Sequence, residues 1–264
     1  MGKFFAKFFR AQGFKVYVAD LGTKLSCKEA VQKSDIVMFA VPIAKTVEVI
    51  KETLPYLRKE QVICDVTSLK LEPMKAMLKV PGGISVVGLH PMFGPNVNSL
   101  EKQTVVVCPG RGGQAKKFFK QLFEKAGAKV VEMKAVEHDQ TMLAVQGVMH
   151  LTTLLAAKIL KDLKLDLRKS LQVSSPIYRL RFDLLARILG QDAELYADIL
   201  RLNSGAKDLA KCLKKSAAEL EEALISTDKK KFLQLFDEGS MYFGDFKKKA
   251  AQESDAVIEY LVNI

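Results

Sequence analysis

The chain has few of the residues that build metal centres or disulfide frameworks. Its four cysteines, Cys27, Cys64, Cys108 and Cys212, include no Cys-x-x-Cys pair, and three histidines accompany them. That pattern excludes a zinc ribbon and a stapled secreted scaffold, and no metal site is expected. Cys64 and Cys108 lie in apolar, strand-like runs and read as buried thiols. No unbroken apolar run reaches the ~18 residues that a bilayer span needs. Basic residues interrupt the apolar ones from Met1 to Arg10 at helical spacing, unlike the unbroken core of a signal peptide. A cytoplasmic protein with no membrane partner is the expectation. Low-complexity tracts and internal repeats are absent too, and a 48% hydrophobic, 27% charged composition is that of a globular chain. Its 264 residues suffice for two domains of ordinary size.

What is abundant is positive charge, unevenly placed. Residues 1–135 hold 22 Lys and Arg against 11 Asp and Glu, whereas residues 136–264 hold 19 of each. The whole net charge of +11 therefore falls in the first half. Such a field attracts an anionic ligand such as a dinucleotide or a dicarboxylate, or is simply a solvated lysine-rich surface. No nucleic-acid-binding motif and no aromatic-rich basic stretch accompany it, so a nucleic-acid partner is not expected.

The first half alternates. Val16–Ala19, Asp35–Val41, Gln61–Val66, Ile84–Leu89, Thr104–Cys108 and Ala128–Met133 are short β-branched runs. Helical patterns at 2–12, 44–58, 71–79 and 112–126 lie between several of them. This predicts an α/β domain with a mostly parallel sheet covered on both faces. Gly13 and Gly127 follow helices where a positive φ is expected. From about residue 136 the strand signal stops and long helical patterns follow at 136–161, 176–189, 191–223 and 228–262. The expected division is a Rossmann-like domain at 1–135 and an all-helical domain at 136–264, joined by a helix rather than a linker.

In a dinucleotide-binding fold the first strand runs into G-x-G-x-x-G, whose third glycine lets the following helix pack closely. Here Met1-Gly2 opens directly into an amphipathic helix, followed by a turn at Gly13, a strand and Asp20. Read back from Asp20, Gly2 occupies the place of the third glycine, and the first strand and two glycines are missing. A carboxylate at Asp20 would accept from the adenosine ribose hydroxyls and repel a 2′-phosphate, which favours NAD over NADP; Asp20 as a plain turn residue is the alternative. Three strand-following segments would lie at the sheet's carboxyl edge, where such folds bind ligands. They supply Val41 and Pro42, Thr67 and Ser68, and Pro91 and Met92 as candidate cofactor contacts. Asp139, Gln146, His150 and Thr153 fall on one stripe of a 3.6-residue helix, a polar line on an apolar element. His138 reads as an ordinary residue at a helix start.

Taken in order, Met-Gly-Lys-Phe-Phe, Asp-Val-Thr-Ser-Leu-Lys, Gly-Leu-His-Pro-Met-Phe-Gly-Pro, Glu-His-Asp-Gln, Ser-Ser-Pro-Ile-Tyr-Arg and Gln-Asp-Ala-Glu-Leu-Tyr-Ala-Asp-Ile resemble the prephenate/arogenate dehydrogenase family of tyrosine biosynthesis. The resemblance implies an NAD(P)-dependent oxidative decarboxylation of prephenate to 4-hydroxyphenylpyruvate, or the same reaction on arogenate. It implies His150 as the acceptor of the ring-hydroxyl proton and Ser99, or its neighbour Asn98, as a contact to that hydroxyl. It matches Arg187 to the arginine that grips a substrate carboxylate, with Arg179 next, and Gln146 joins them from the helix stripe. A homodimer through the helical domain is implied as well. Two other readings remain: a different dehydrogenase with a helical half, and a catalytically inactive relative that binds the substrate. The first usually places Lys or Asp on the inter-domain helix, where this chain has Gln146 and His150.

The start of the chain carries its own expectation. A helix opening at Gly2 without a glycine loop suggests that Met1 is internal to a longer reading frame. That frame should encode a short apolar strand ending in Gly-x-Gly, and restoring it should raise NAD affinity and stability. A stop codon just before Met1, with full NAD-dependent activity from these 264 residues, would contradict it.

Overall fold

β-Branched runs alternating with amphipathic stretches build a five-stranded sheet in the computed structural model, which describes residues 1–263. Its strands are β1 (Ile36–Phe39), β2 (Val62–Asp65), β3 (Ser85–Pro91), β4 (Thr104–Pro109) and β5 (Lys129–Glu132), lying side by side in that order. All pairings are parallel except β3 with β4. The helices are α1 (Gly2–Ala11), α2 (Cys27–Lys33), α3 (Ile43–Thr53), α4 (Leu71–Met77), α5 (Gly113–Lys125), α6 (Ala135–Met142), α7 (Met149–Asp162), α8 (Leu167–Gln172), α9 (Pro176–Leu189), α10 (Ala193–Arg201), α11 (Ala206–Ile225), α12 (Lys230–Phe243) and α13 (Phe246–Val262). The fold class is therefore a Rossmann-like α/β sheet followed by helices, as expected.

Period-two alternation along the strands feeds two cores. Cys64, Val87, Leu89, Val105 and Val107 pack on one face with Phe5 of α1 and with Phe119 and Phe123 of α5. Ile63 and Val86 point the other way, against Ile50 of α3 and against Met74 and Met77 of α4. The phenylalanines that open the chain thus form an aromatic layer: the Phe5 ring centroid lies 6.1 Å from that of Phe123, which lies 5.7 Å from Phe119. Gly13 and Gly127 adopt φ of 85° and 83° after α1 and α5, as their positions predicted.

The strand expected at Val16–Ala19 does not form; residues 14–20 belong to no sheet and no helix. A strand exists only through a ladder partner, and the outer edge of β1 carries none among the described residues. The helical runs also break where the period alone suggested continuity. The 191–223 stretch divides between α10 and α11 around Asn203, whose buried side chain donates to the Asp139 carbonyl at 3.0 Å. The last stretch divides at Gly244, which takes a φ of 49°. Two short helices escaped the periodicity because local caps define them: a capping box of Ser26 and Glu29 opens α2, and Asp166 accepts from Lys169 N at α8.

The chain forms two compact units. One comprises Met1–Gly147 with Glu194–Ser204; the other comprises Val148–Ala193 and the chain from Gly205 onward. The compact units divide at Gly147/Val148, so α6 and most of α10 group with the sheet. Between α6 and α7 the backbone makes a π-helical turn, Leu143–Val148. The run Ala135–Asp162 is long and apolar enough to cross a membrane by length and composition, an 18-residue window of it having a mean hydropathy of 1.5. Gln140, Gln146 and His150 interrupt it, which is why no unbroken run signals it in the sequence.

Phe119 is fully buried under the sheet. Phe119→Ala should therefore lower unfolding free energy by about 3–5 kcal/mol, read from urea titrations. A loss below about 1 kcal/mol would show that this aromatic layer is not the core.

Candidate active site

The site starts where β2 ends. Asp65, its last residue, accepts from Thr67 N at 3.1 Å, an Asx-type turn that reverses the chain. The Thr67 hydroxyl also bonds the Asp65 carboxylate, and Lys70 folds back into the same loop, its ammonium paired with Asp65 and 3.3 Å from Thr67 Oγ1. Lys70 and Asp65 are both completely buried. The lysine stem has room because Gly88 of β3 carries no side chain. A Cβ there would lie 2.9 Å from Met74 Sδ and 3.0 Å from Lys70 Cδ.

A second layer of buried polar groups sits on this loop. The Asp139 carboxylate, on α6, accepts from Lys70 N at 2.8 Å and Leu71 N at 2.9 Å, satisfying the first amides of α4. Its Oδ1 also lies 2.7 Å from His138 Nδ1, and His138 Nε2 lies 2.8 Å from Nδ1 of His90, the penultimate residue of β3. His90 and His138 are buried. A carboxylate only accepts, so His138 Nδ1 carries a proton; in the neutral tautomer this leaves Nε2 to accept from His90 Nδ1–H. His90 Nε2 is then left with the lone pair. Burial, then the neighbouring His138 and Lys70, holds the His90 pKa well below 6.5, so the ring is neutral at pH 7. Burial would raise the Asp139 pKa, but the bonds from His138, Leu71 N and Lys70 N outweigh it and the net shift is downward. Chemically, such an arrangement can accept a proton at one imidazole, backed by a second imidazole and a carboxylate.

The expected site residues are placed as follows. Gly2 opens α1, which has no side-chain cap, and a Cβ at Gly2 would touch Ala40 Cβ at 3.4 Å. Asp20 is exposed at a turn, with its Oδ1 accepting from Leu21 N at 2.7 Å, so the turn-residue alternative describes its present bonding. Val41 and Pro42 lead into α3, whose Ala44 amide donates to Asp198 of α10 at 3.2 Å. Thr67 is buried with its hydroxyl engaged inside the loop, while Ser68 is partly exposed. Pro91 is buried at the end of β3 and Met92 is partly exposed. Ser99 is exposed, its hydroxyl accepting from Glu101 N at 3.3 Å.

Gln146 lies in the π turn, its Oε1 buried with no hydrogen-bond partner among the described residues. His150 is half-buried in α7, and burial lowers its pKa. Arg187 and Arg179 are exposed on α9, the latter paired with Asp183 at 3.1 Å. The single stripe read through Asp139, Gln146, His150 and Thr153 does not survive the π turn, which inserts extra residues into the helical register. His138 and Asp139 are fixed against α4 and β3, so His138 is not an ordinary helix-start residue. His90 was visible in the sequence only as part of a turn. Its pairing with His138, 48 positions later, exists only in three dimensions.

The fold is that of a nucleotide-binding α/β unit continued by a helical unit, and similarity to known proteins narrows this. Residues 6–132 match the family described as "Prephenate dehydrogenase, nucleotide-binding domain", and residues 134–238 match "Prephenate dehydrogenase, dimerization domain". The chain belongs to the prephenate dehydrogenase family. A probable arogenate/prephenate dehydrogenase of Methanocaldococcus jannaschii is 34% identical over 98% of this chain, which spans 62% of that protein. The T-protein of Haemophilus influenzae is also 34% identical over 98% of this chain, which spans 68% of it. The crystal structure of the Aquifex aeolicus prephenate dehydrogenase, in complex with hydroxyphenyl propionate and NAD+, superposes with a TM-score of 0.70 at 21% identity. That match covers 91% of this chain and 93% of the other.

The buried imidazole gives a pH signature. With the folded pKa of His90 below its unfolded value of 6.5, the unfolded chain binds more protons below pH 6.5, so stability is lost as pH falls through that window. His150 adds to the same loss more weakly. The urea midpoint should therefore drop between pH 7 and pH 5.5, and His90→Gln should remove most of the drop. An unchanged pH slope in that variant would show that His90 is not held neutral by the fold.

Proposed function

We propose that this chain is a prephenate dehydrogenase: it converts prephenate to 4-hydroxyphenylpyruvate and carbon dioxide with hydride transfer to NAD, as a homodimer in the cytoplasm. The observation that carries the reading is the buried His90–His138–Asp139 chain, which presents a neutral nitrogen lone pair from a nucleotide-binding unit. The proposed proton acceptor is His90, in place of His150. His90 has a directed partner on Nδ1, which fixes the nitrogen left to accept a proton. In the reaction His90 Nε2 takes the proton of the ring hydroxyl as the carbon–hydrogen bond breaks. The positive charge that develops is stabilised through His138 by Asp139. The same nitrogen returns the proton to the ring oxygen once carbon dioxide has left and the ring is aromatic.

A dinucleotide fits the uncapped N-terminus of α1, where free amides and the helix dipole attract a pyrophosphate and Gly2 places no side chain over them. Asp20 keeps Oδ2 for ribose hydroxyls, and Val41, Pro42, Ser68 and Met92 are the proposed neighbours. When bound, NAD supplies the hydride acceptor. For the substrate, Arg187 is the proposed grip on a carboxylate, with Arg179 in reserve. Gln146 offers an unsatisfied buried acceptor to a substrate hydroxyl. The homodimer is supported by the helical unit itself. Ala223 is its one buried residue among those described, while Met149, Leu224, Phe236 and Tyr242 are among many exposed apolar side chains.

Purified protein mixed with prephenate or arogenate and with NAD+ or NADP+, followed by absorbance of the reduced cofactor, tests the reading. Prephenate with NAD+ should be the productive pair; arogenate turnover alone would move the chain to the sister activity. Substrate binding without turnover would make it a binding module. His90→Asn should lower kcat by ~10²–10⁴, and a comparable loss in His150→Asn with an active His90 variant would restore His150 as the acceptor. Arg187→Ala should raise the substrate KM, at a cost of about 2–5 kcal/mol, far more than the KM for NAD+.

A further inference from the structure

Asp139 stands at a junction that the proposed reaction does not by itself require. One of its oxygens serves both Lys70 N and His138 Nδ1, while the other serves Leu71 N. The two amides are backbone donors that cannot change character, so they hold the carboxylate in one orientation. His138, by contrast, can carry its single neutral proton on either nitrogen. Facing an oxygen already fixed by Lys70 N, it gains a hydrogen bond only with the proton on Nδ1. That choice propagates: Nε2 of His138 becomes an acceptor, and His90 must turn an Nδ1–H toward it across 2.8 Å. All three side chains are buried, so water does not substitute for a missing partner.

We propose that Asp139 is a positioning residue that selects the tautomer of His90, acting through His138, so that the lone pair falls on Nε2. This rests on the reading of His90 as the proton acceptor, but it concerns where a proton sits and is measurable without turnover. With Asn at position 139, either orientation of the amide opposes one backbone N–H with its own NH2. The orientation that offers His138 an oxygen loses its advantage, and the single tautomer becomes a mixture. A plain helix-capping role would lower stability and leave the tautomer alone.

The chain has only three histidines, so ¹⁵N spectra of histidine-labelled full-length protein are assignable by substitution. In the wild type at pH 7, His90 and His138 should each show a protonated Nδ1 and an unprotonated Nε2. Asp139→Asn should show both tautomers at His90, with kcat lowered ~10²-fold or more and substrate KM within several-fold. His138→Leu, which leaves Asp139 free to cap α4, should reproduce the mixed tautomer and the loss of kcat. The double variant should lose no more than His138→Leu alone, because both act through one path. A wild-type His90 protonated on Nε2, a His90 tautomer unchanged in His138→Leu, or losses that multiply in the double variant would each overturn the proposal. If His90→Asn turns out fully active, the acceptor reading falls instead, while the spectra still decide whether Asp139 sets the tautomer.

Discussion

One buried carboxylate organises the sheet unit. Asp139 costs free energy to desolvate, and it is kept ionised by two adjacent amides at the start of α4 and by His138, three donors arriving from two points of the chain. Because those donors are fixed, α6 is tied to the start of α4, and α10 is tied in turn through Asn203 to the Asp139 carbonyl. The helices that bracket the end of β3 are thus held by polar bonds with defined directions rather than by apolar contact alone, which tolerates sliding.

Beneath this lies the Lys70–Asp65 pair, equally buried. A buried ion pair contributes little net stability against an apolar substitute, but removing one partner strands a charge and is strongly destabilising. Its value here is geometric. Lys70 is at once the partner of Asp65 through its side chain and the partner of Asp139 through its amide, so the end of β2 and the start of α4 register against the same residue. Gly88 is the condition for it, since any side chain on that strand position would occupy the path of the lysine stem. The thiols that flank this network stay protonated: burial raises Cys64 well above its ordinary range and pushes Cys108 up to about 12.

The helical unit obeys a different constraint. Helices α7, α8, α9, α12 and α13 contain no buried residue among those described, although apolar side chains such as Leu154, Leu167, Ile177, Phe236 and Val257 lie exposed on them. An apolar stripe that finds no cover within its own unit needs cover from elsewhere. A second copy of the chain supplies it at no cost in sequence, which agrees with the dimerization-domain family that residues 134–238 match.

Period and punctuation in the sequence determined the α/β class, the positions of five strands along the chain, the placement of α1, α5 and α9, and the left-handed glycines after α1 and α5. These are local properties, written in alternation every two residues or in stripes every 3.6. The ordered motifs determined the family, because their succession is chemical information that survives without coordinates. Tertiary structure decided the rest. Val16–Ala19 has the composition of a strand and is not one, since strand status depends on a neighbour and not on propensity. Continuous helical patterns broke at Asn203 and Gly244, and the polar stripe of α6 and α7 was re-phased by a π turn that no 3.6-residue count detects. His138 looked ordinary and His90 looked like part of a turn; 48 residues apart, they meet only because β3 and α6 are packed side by side. Local spacing encodes which face a residue takes on its own element, whereas a hydrogen-bonded chain across three elements depends on how those elements pack. That packing is a property of the folded sheet unit, in which every buried donor must find its acceptor.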